Sequence, residues 1–222
     1  MDLMEAMRQR HSVRRYENKQ LDGETARTLE ELVAAVNAES GLHIQLVKDE
    51  PKAFDSAMAR YGHFSGVTNY FALIGKKGAA LEELCGYYGE KLVLEAQRLG
   101  LNTCWVALTF KKTPDAYAVA PGEKLSVVIA LGYGATQGVA HKSKPLETLG
   151  SVDGAPDWFR AGVEAAALAP TATNQQKFRF EYADGKVAAK PGLGFYTKMD
   201  LGIAKYHFEL GSGKGPEIWQ DA

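Results

Sequence analysis

The chain has 222 residues, 45% of them apolar and 24% charged, which is the composition of an ordinary globular protein long enough to bury a sizeable core. Its 26 basic and 27 acidic residues leave a formal charge of −1, which excludes a global field that would recruit nucleic acid or an anionic membrane. Cys85 and Cys104 lack CxxC spacing and nearby histidine pairs, so a reduced thiol pair is expected, with no disulfide framework and no zinc site.

No apolar run approaches the roughly 20 residues of a membrane span. Charges from Asp2 onward leave no secretory h-region, and a cytoplasmic protein is expected. Residues 2–10 read as a short helix with Asp2 as N-cap. Asp22 precedes a second helix carrying Leu29, Leu32, Val33 and Val36 at helical spacing, stopped by Gly41. LHIQLV (42–47) alternates as a strand does, and PKAFDSAMARYG (51–62) reads as a helix opened by Pro51. NYFALIG (69–75), TCWVAL (103–108) and LSVVIALGYG (125–134) are apolar runs of strand length. The longest helix is expected over 80–99, and a short one over 114–119. The order implies helices on both sides of a central sheet.

Residues 134–156 are rich in Gly, Ser, Thr and Pro and read as a linker. Beyond them come a helix ended by Pro170, a polar turn, a hairpin around Asp184-Gly185, and a helix over 196–211. The order helix, polar turn, strand occurs in LEELVAAVNAESGLHIQLV and again in WFRAGVEAAALAPTATNQQKFRFEY, and this suggests two pseudo-repeated halves, 1–150 and 151–222. The first copy lacks the proline and the Asn-Gln cluster of the second.

Three polar stretches carry chemistry. RQRHSVRRY (8–16) sets four arginines and a histidine around one serine and one valine. If residues 12–14 are extended, Ser12 and Arg14 point one way and Val13 the other, so that Arg10, Ser12 and Arg14 converge on one small anion. Spacing alone also allows a solvated basic turn at a helix C-terminus, and favours it. Lys142 and Lys144 flank a second serine after the strand that ends in ALGYG, either as a second grip on the same anion or as a charged linker start. LAPTATNQQKF (168–178) offers Thr171, Thr173, Asn174, Gln175 and Gln176, a donor–acceptor set suited to the edge of a flat heterocycle, or a plain polar connection. For the aromatics Tyr61, Phe64, Tyr70 and Trp105, core packing is the expected role.

Taken together these stretches resemble the nitroreductase family of FMN flavoproteins. RHSVRRY resembles its Arg-x-Ser-x-Arg signature, and LAPTATNQQKF its Ala-Pro-Ser-x-x-Asn-x-Gln-Pro-Trp element. GLNTCWVALTF resembles its Gly-Leu-Gly-Thr-Cys-Trp strand, and VAPGEKLSVVIALGYG is similar to the strand before its basic phosphate tail. The Ala-Pro-Ser-like element lies in the second half here, which looks like the subgroup in which one chain mimics the usual homodimer.

The resemblance implies an α+β nitroreductase-like fold with a central mixed sheet flanked by helices. It implies FMN with its phosphate on Arg10, His11, Ser12 and Arg14, closed by Lys142 and Lys144. The isoalloxazine is expected at Val106, Ala107 and Leu108, although the glycines often found there are missing. Thr171, Thr173 and Asn174 come from the second half, with Arg60 and His63 as further polar contacts. Lys177-Phe178 replaces the usual Pro-Trp. No side chain is expected to act as nucleophile or base. The implied activity is hydride transfer from NAD(P)H to a nitroaromatic or quinone by alternate occupancy of one site, in a monomer that imitates a dimer. The absence of GxGxxG fits a chain without a Rossmann nucleotide site. A non-catalytic flavin binder or electron carrier is the alternative, and a flavin-free phosphate-binding regulator the remote one.

Overall fold

The computed structural model describes residues 1–220. In chain order the elements are α1 (Leu3–Gln9), α2 (Gly23–Ser40), β1 (Gln45–Val47), α3 (Ala57–Tyr61), β2 (Asn69–Lys76), α4 (Leu81–Arg98), β3 (Asn102–Val106), β4 (Glu123–Gly132), α5 (Leu146–Leu149), α6 (Asp157–Ala166), β5 (Phe178–Ala183), β6 (Lys186–Pro191) and α7 (Thr197–Ser212). They form two compact units, one of residues 9–81 and 91–140, the other of residues 1–8, 82–90 and 141–222.

The unit of residues 9–81 and 91–140 is built on a four-stranded sheet in the order β1-β2-β4-β3. All three strand pairings are antiparallel. Parallel pairing enters through single bridges of the basic segment, Ser12 to Thr103 and Arg15 to Ser65. Every residue of β2 except Lys76 is buried, as expected for a strand covered on both faces. Tyr70, Ala72 and Ile74 of β2 join Val128 and Ala130 of β4, Val13, Phe54 and Phe64 in one core. Phe71 and Leu73, pointing to the opposite face, are fully buried as well.

Helix α2 has the caps its sequence implies. Asp22 Oδ1 accepts the Thr25 N–H at 2.9 Å, and Gly41 ends the helix at φ 68°. Four expected elements differ, and the strand expected over 42–47 is confined to Gln45–Val47. Only Ala57–Tyr61 of the 51–62 stretch is helical, because the Ser56 backbone is extended and its hydroxyl caps Ala59. Upstream, the Glu50 carboxylate accepts the N–H groups of Lys52 and Ala53 and closes residues 50–55 into a turn. The strand after Asn102 stops at Val106, and the 114–119 segment is a turn. The linker holds the single turn α5.

In the other unit α7 packs against both α6 and the β5–β6 hairpin. Asp184 and Gly185 take φ 50° and 79°, the pair of left-handed residues a two-residue hairpin needs. Phe159, Phe180, Phe208 and Trp219 form a tilted aromatic cluster, with Phe180 and Phe208 rings 4.8 Å apart. The first half of α4 meets α7 through glycines. A Cβ on Gly86 would lie 2.1 Å from the Met199 carbonyl oxygen, and one on Gly202 would lie 2.1 Å from that of Glu83. Glycine at both positions is what lets the two backbones approach.

Candidate functional site

In the unit of residues 9–81 and 91–140, the basic segment is an extended stretch held at both edges. Val13 N–H donates to the Thr103 carbonyl at 3.0 Å, Ser65 N–H to Arg14 at 3.0 Å, and Ala135 N–H to Arg15 at 2.9 Å. Val13 is buried in the core and Ser12 is half-buried, while Arg14 reaches solvent, as the alternation requires. Arg10 is buried. His11 is half-buried, and Gly138 packs on it so closely that a Cβ there would lie 2.8 Å from the His11 Cβ.

Arg10, Ser12 and Arg14 act on one atom. Burial pushes the Cys104 thiol up, whereas the Arg14 charge, a hydrogen bond with Ser12 and the Arg10 charge pull it down. All three side chains thus bear on Cys104 in the middle of β3, beside the point where Ser12 pairs with Thr103. The Arg14 guanidinium also lies 5.9 Å from the centre of the Phe64 ring.

Past β3 the chain climbs out of the core. Val106 is buried, Ala107 is half-buried, and Leu108 is 71% exposed. Gly62 abuts this loop, since a Cβ there would lie 2.6 Å from the Thr109 Cβ. Its neighbours Tyr61 and His63 are thus brought to the 107–110 loop. Tyr61 is 79% exposed, against the expectation of core packing, because its turn of helix α3 faces outward; Phe64 and Tyr70 are buried as expected. His63 is exposed with φ 61°, and Arg60 is exposed and paired with Asp55 at 3.3 Å.

In the unit of residues 1–8, 82–90 and 141–222, the second candidate cluster is a tightly bonded loop. Thr173, Asn174 and Gln176 all adopt left-handed backbone conformations, at φ 50°, 55° and 44°. Such angles are strained for non-glycine residues and persist where surrounding contacts fix them. The contacts are present. Asn174 Nδ2 and Gln176 Nε2 both donate to the Lys142 carbonyl, at 3.0 and 2.9 Å. Gln176 Oε1 accepts the Lys144 N–H, and Thr171 Oγ1 accepts the Gln176 N–H. The Lys144 ammonium donates to the carbonyls of Gln175 and Gln176, at 2.7 and 3.2 Å. Lys144 therefore works within the loop, while the Lys142 side chain is exposed.

A family model described as "Putative TM nitroreductase" matches residues 2–212. The chain belongs to this nitroreductase family. Among solved structures, a Thermotoga maritima protein described as a "putative nitroreductase" is 23% identical at TM-score 0.69, over 95% of this chain and 83% of that one. A "putative nitroreductase in complex with FMN" from Desulfovibrio desulfuricans is 18% identical at TM-score 0.51, over 67% and 95%. A "Putative NADH dehydrogenase/NAD(P)H nitroreductase" from Bacteroides thetaiotaomicron is 18% identical at TM-score 0.52, over 66% and 95%. At these identities the likeness is one of fold, and it matches the expected α+β nitroreductase fold. No curated protein matches.

One organising residue of this chain was missed by sequence reasoning. Asp200, in the first turn of α7 and only 2% exposed, accepts the Ala172 N–H at 2.9 Å and Gln175 Nε2 at 2.7 Å. Burial raises its carboxyl to about 6, against the pull of these two hydrogen bonds. Its signal in the sequence is a carboxylate flanked by Met199 and Leu201 in the first turn of α7. Among the described residues no helix is long and apolar enough to cross a membrane.

Proposed function

We propose that this chain is an FMN-dependent oxidoreductase that passes hydride from NAD(P)H to a nitroaromatic- or quinone-like acceptor, in two alternating half-reactions at one flavin per chain. The reading is supported by the family match and by the basic segment lying along β3, where Ser12 pairs with Thr103 and Arg10, Ser12 and Arg14 all bear on the Cys104 thiol. Two planar guanidinium forks and a hydroxyl suit a terminal phosphate, with His11 beside them. Val106, Ala107 and Leu108 take the ring system, with Arg60 and His63 as outer polar contacts. For Lys142, Lys144, Thr171, Thr173 and Asn174 the assignment rests on the sequence resemblance, as does the reading of residues 1–150 and 151–222 as two halves of a monomer that imitates a dimer. When bound, FMN supplies the redox chemistry; the protein binds it, orients it and sets its surroundings.

The test is optical. The purified chain is expected to be yellow, to lose its absorbance near about 450 nm with NADH or NADPH, and to regain it with a quinone. A colourless protein that takes up no FMN overturns the proposal. A yellow protein that neither nucleotide bleaches points to a flavin binder without turnover. Replacing Arg10 and Arg14 together by Gln is expected to weaken FMN binding by at least about tenfold, measured by fluorescence quenching. Tyr61→Ala is expected to leave stability within about 0.5 kcal/mol, since the side chain is exposed, and to raise KM for aromatic acceptors severalfold.

A further inference from the structure

Beyond the flavin-associated residues, a cleft of about 330 Å³ is lined by Glu50, Lys52, Lys111, Lys112, Thr113, Pro114, Asp115 and Ala116. Its walls are two turns tied together, with the Lys111 N–H donating to the Ala53 carbonyl at 2.8 Å. Its base is a polar relay in which the Tyr70 hydroxyl meets Thr113 Oγ1 at 2.7 Å and donates to Glu50 at 3.3 Å. The Glu50 carboxylate also accepts the Lys52 and Ala53 N–H groups, so it makes three hydrogen bonds within the fold. Lys52, Lys111 and Lys112 are exposed, and their ammonium groups have no hydrogen-bond or ion-pair partner among the described residues. The cleft thus gathers three uncommitted cations and one uncommitted carboxylate, that of Asp115. Its chain position links it to the flavin-facing loop, because Lys111 and Lys112 follow Leu108 by three and four residues, at most about 14 Å of extended chain.

We infer that this cleft binds a phosphorylated ribose, with the three lysines on the phosphate and Asp115 accepting from a neighbouring hydroxyl. On the reading that NAD(P)H is the reductant, it makes the protein selective for NADPH, whose adenosine ribose carries the phosphate that NADH lacks. Ammonium groups recognise phosphate as point charges and need no bidentate fork.

The test uses the full FMN-loaded chain and the probe 2′,5′-ADP, with 5′-AMP as control, by isothermal titration calorimetry. Binding of 2′,5′-ADP is expected to exceed that of 5′-AMP by about tenfold, and to fall by about tenfold in Lys111→Gln/Lys112→Gln. Lys52→Gln is expected to weaken it in the same direction. In turnover the double variant is expected to raise KM for NADPH while leaving KM for NADH unchanged. Equal binding of the two probes, or 2′,5′-ADP binding that the lysine variants leave intact, overturns the inference. If NADH and NADPH bleach the flavin equally well and 2′,5′-ADP does not bind, the cleft assignment fails and the oxidoreductase reading stands. If 2′,5′-ADP binds through the lysines and neither nucleotide bleaches the flavin, the cleft stands and the oxidoreductase reading fails.

Discussion

Glu90→Ala is expected to destabilise the protein by roughly 3–5 kcal/mol, the cost of breaking a buried pair from one side. Glu90 on α4 and His207 on α7 are both fully buried, with His207 Nε2 2.9 Å from Glu90 Oε1. His207 Nδ1 lies 3.2 Å from the Ala165 carbonyl. A carbonyl oxygen only accepts, so Nδ1 carries a proton. The Nε2 contact then needs one further proton, held on the ring or on the carboxyl. Alanine at 90 removes the partner of Nε2 and leaves that nitrogen facing a dry gap.

Glu90→Gln separates the two arrangements. If the ring is neutral, the glutamine amide donates to Nε2 in place of the carboxyl and stability falls by about 1 kcal/mol or less. If the pair is imidazolium and carboxylate, the amide leaves a buried cation uncompensated and the loss approaches that of alanine. Chemical denaturation of the full chain, with each midpoint converted through its slope, reads both variants. A loss under about 1 kcal/mol for Glu90→Ala would show that burial already offsets whatever the pair contributes.

This pair also shows where sequence reading stops. Its members are 117 positions apart, and each alone reads as one more polar residue on a helix. What was legible is local. Asp22 and Gly41 announced the ends of α2 because a cap is a contact within three or four residues. Asp184-Gly185 announced a hairpin because left-handed backbone favours those residue types. Residues 51–55 misled because they close only one turn, with Glu50 capping the N–H groups of Lys52 and Ala53, before the extended backbone of Ser56 ends it and starts α3 afresh. The alternation of Arg10, Ser12 and Arg14 about Val13 was legible because period two is intrinsic to an extended chain. That Lys144 turns inward onto the carbonyls of 175 and 176 was not legible, since its partners lie some thirty positions away.

The second large effect is a pH dependence centred on Asp200. Its carboxyl is raised from 3.8 to about 6 by burial. Below about 3.8 it is protonated in both the folded and the unfolded chain. Between about 3.8 and 6 the folded chain keeps a proton that the unfolded chain has released, so stability falls as pH rises through that window. The stabilisation is fully present below the lower value and lost above the upper one, and a shift of about two pK units corresponds to roughly 3 kcal/mol. The carboxyls of Asp22, Glu123 and Glu181 are held low, chiefly by hydrogen bonds, so their contribution has the opposite sign and is lost as pH falls.

Asp200→Asn isolates the effect, because the difference between the wild-type and variant curves cancels every other group. Asparagine keeps an acceptor for the Ala172 N–H but turns an amide toward Gln175 Nε2, which is already committed to the Phe195 carbonyl at 2.8 Å. A protonated aspartate gives up the same bond, so the variant differs from wild type only where the carboxyl ionises, and there it escapes the desolvation of the charge. It is expected to match wild type at pH 4 and to be the more stable of the two at pH 7, by up to roughly 3 kcal/mol. Parallel curves from pH 4 to pH 7 would show that Asp200 titrates alike in both states. The same carboxylate fixes the strained stretch of Thr173, Asn174 and Gln176, and it pins both Ala172 and Gln175 only when ionised. Amide exchange at Ala172 in Asp200→Ala is therefore expected to quicken more at pH 7 than at pH 5, which ties loop order to the same proton that sets the stability curve.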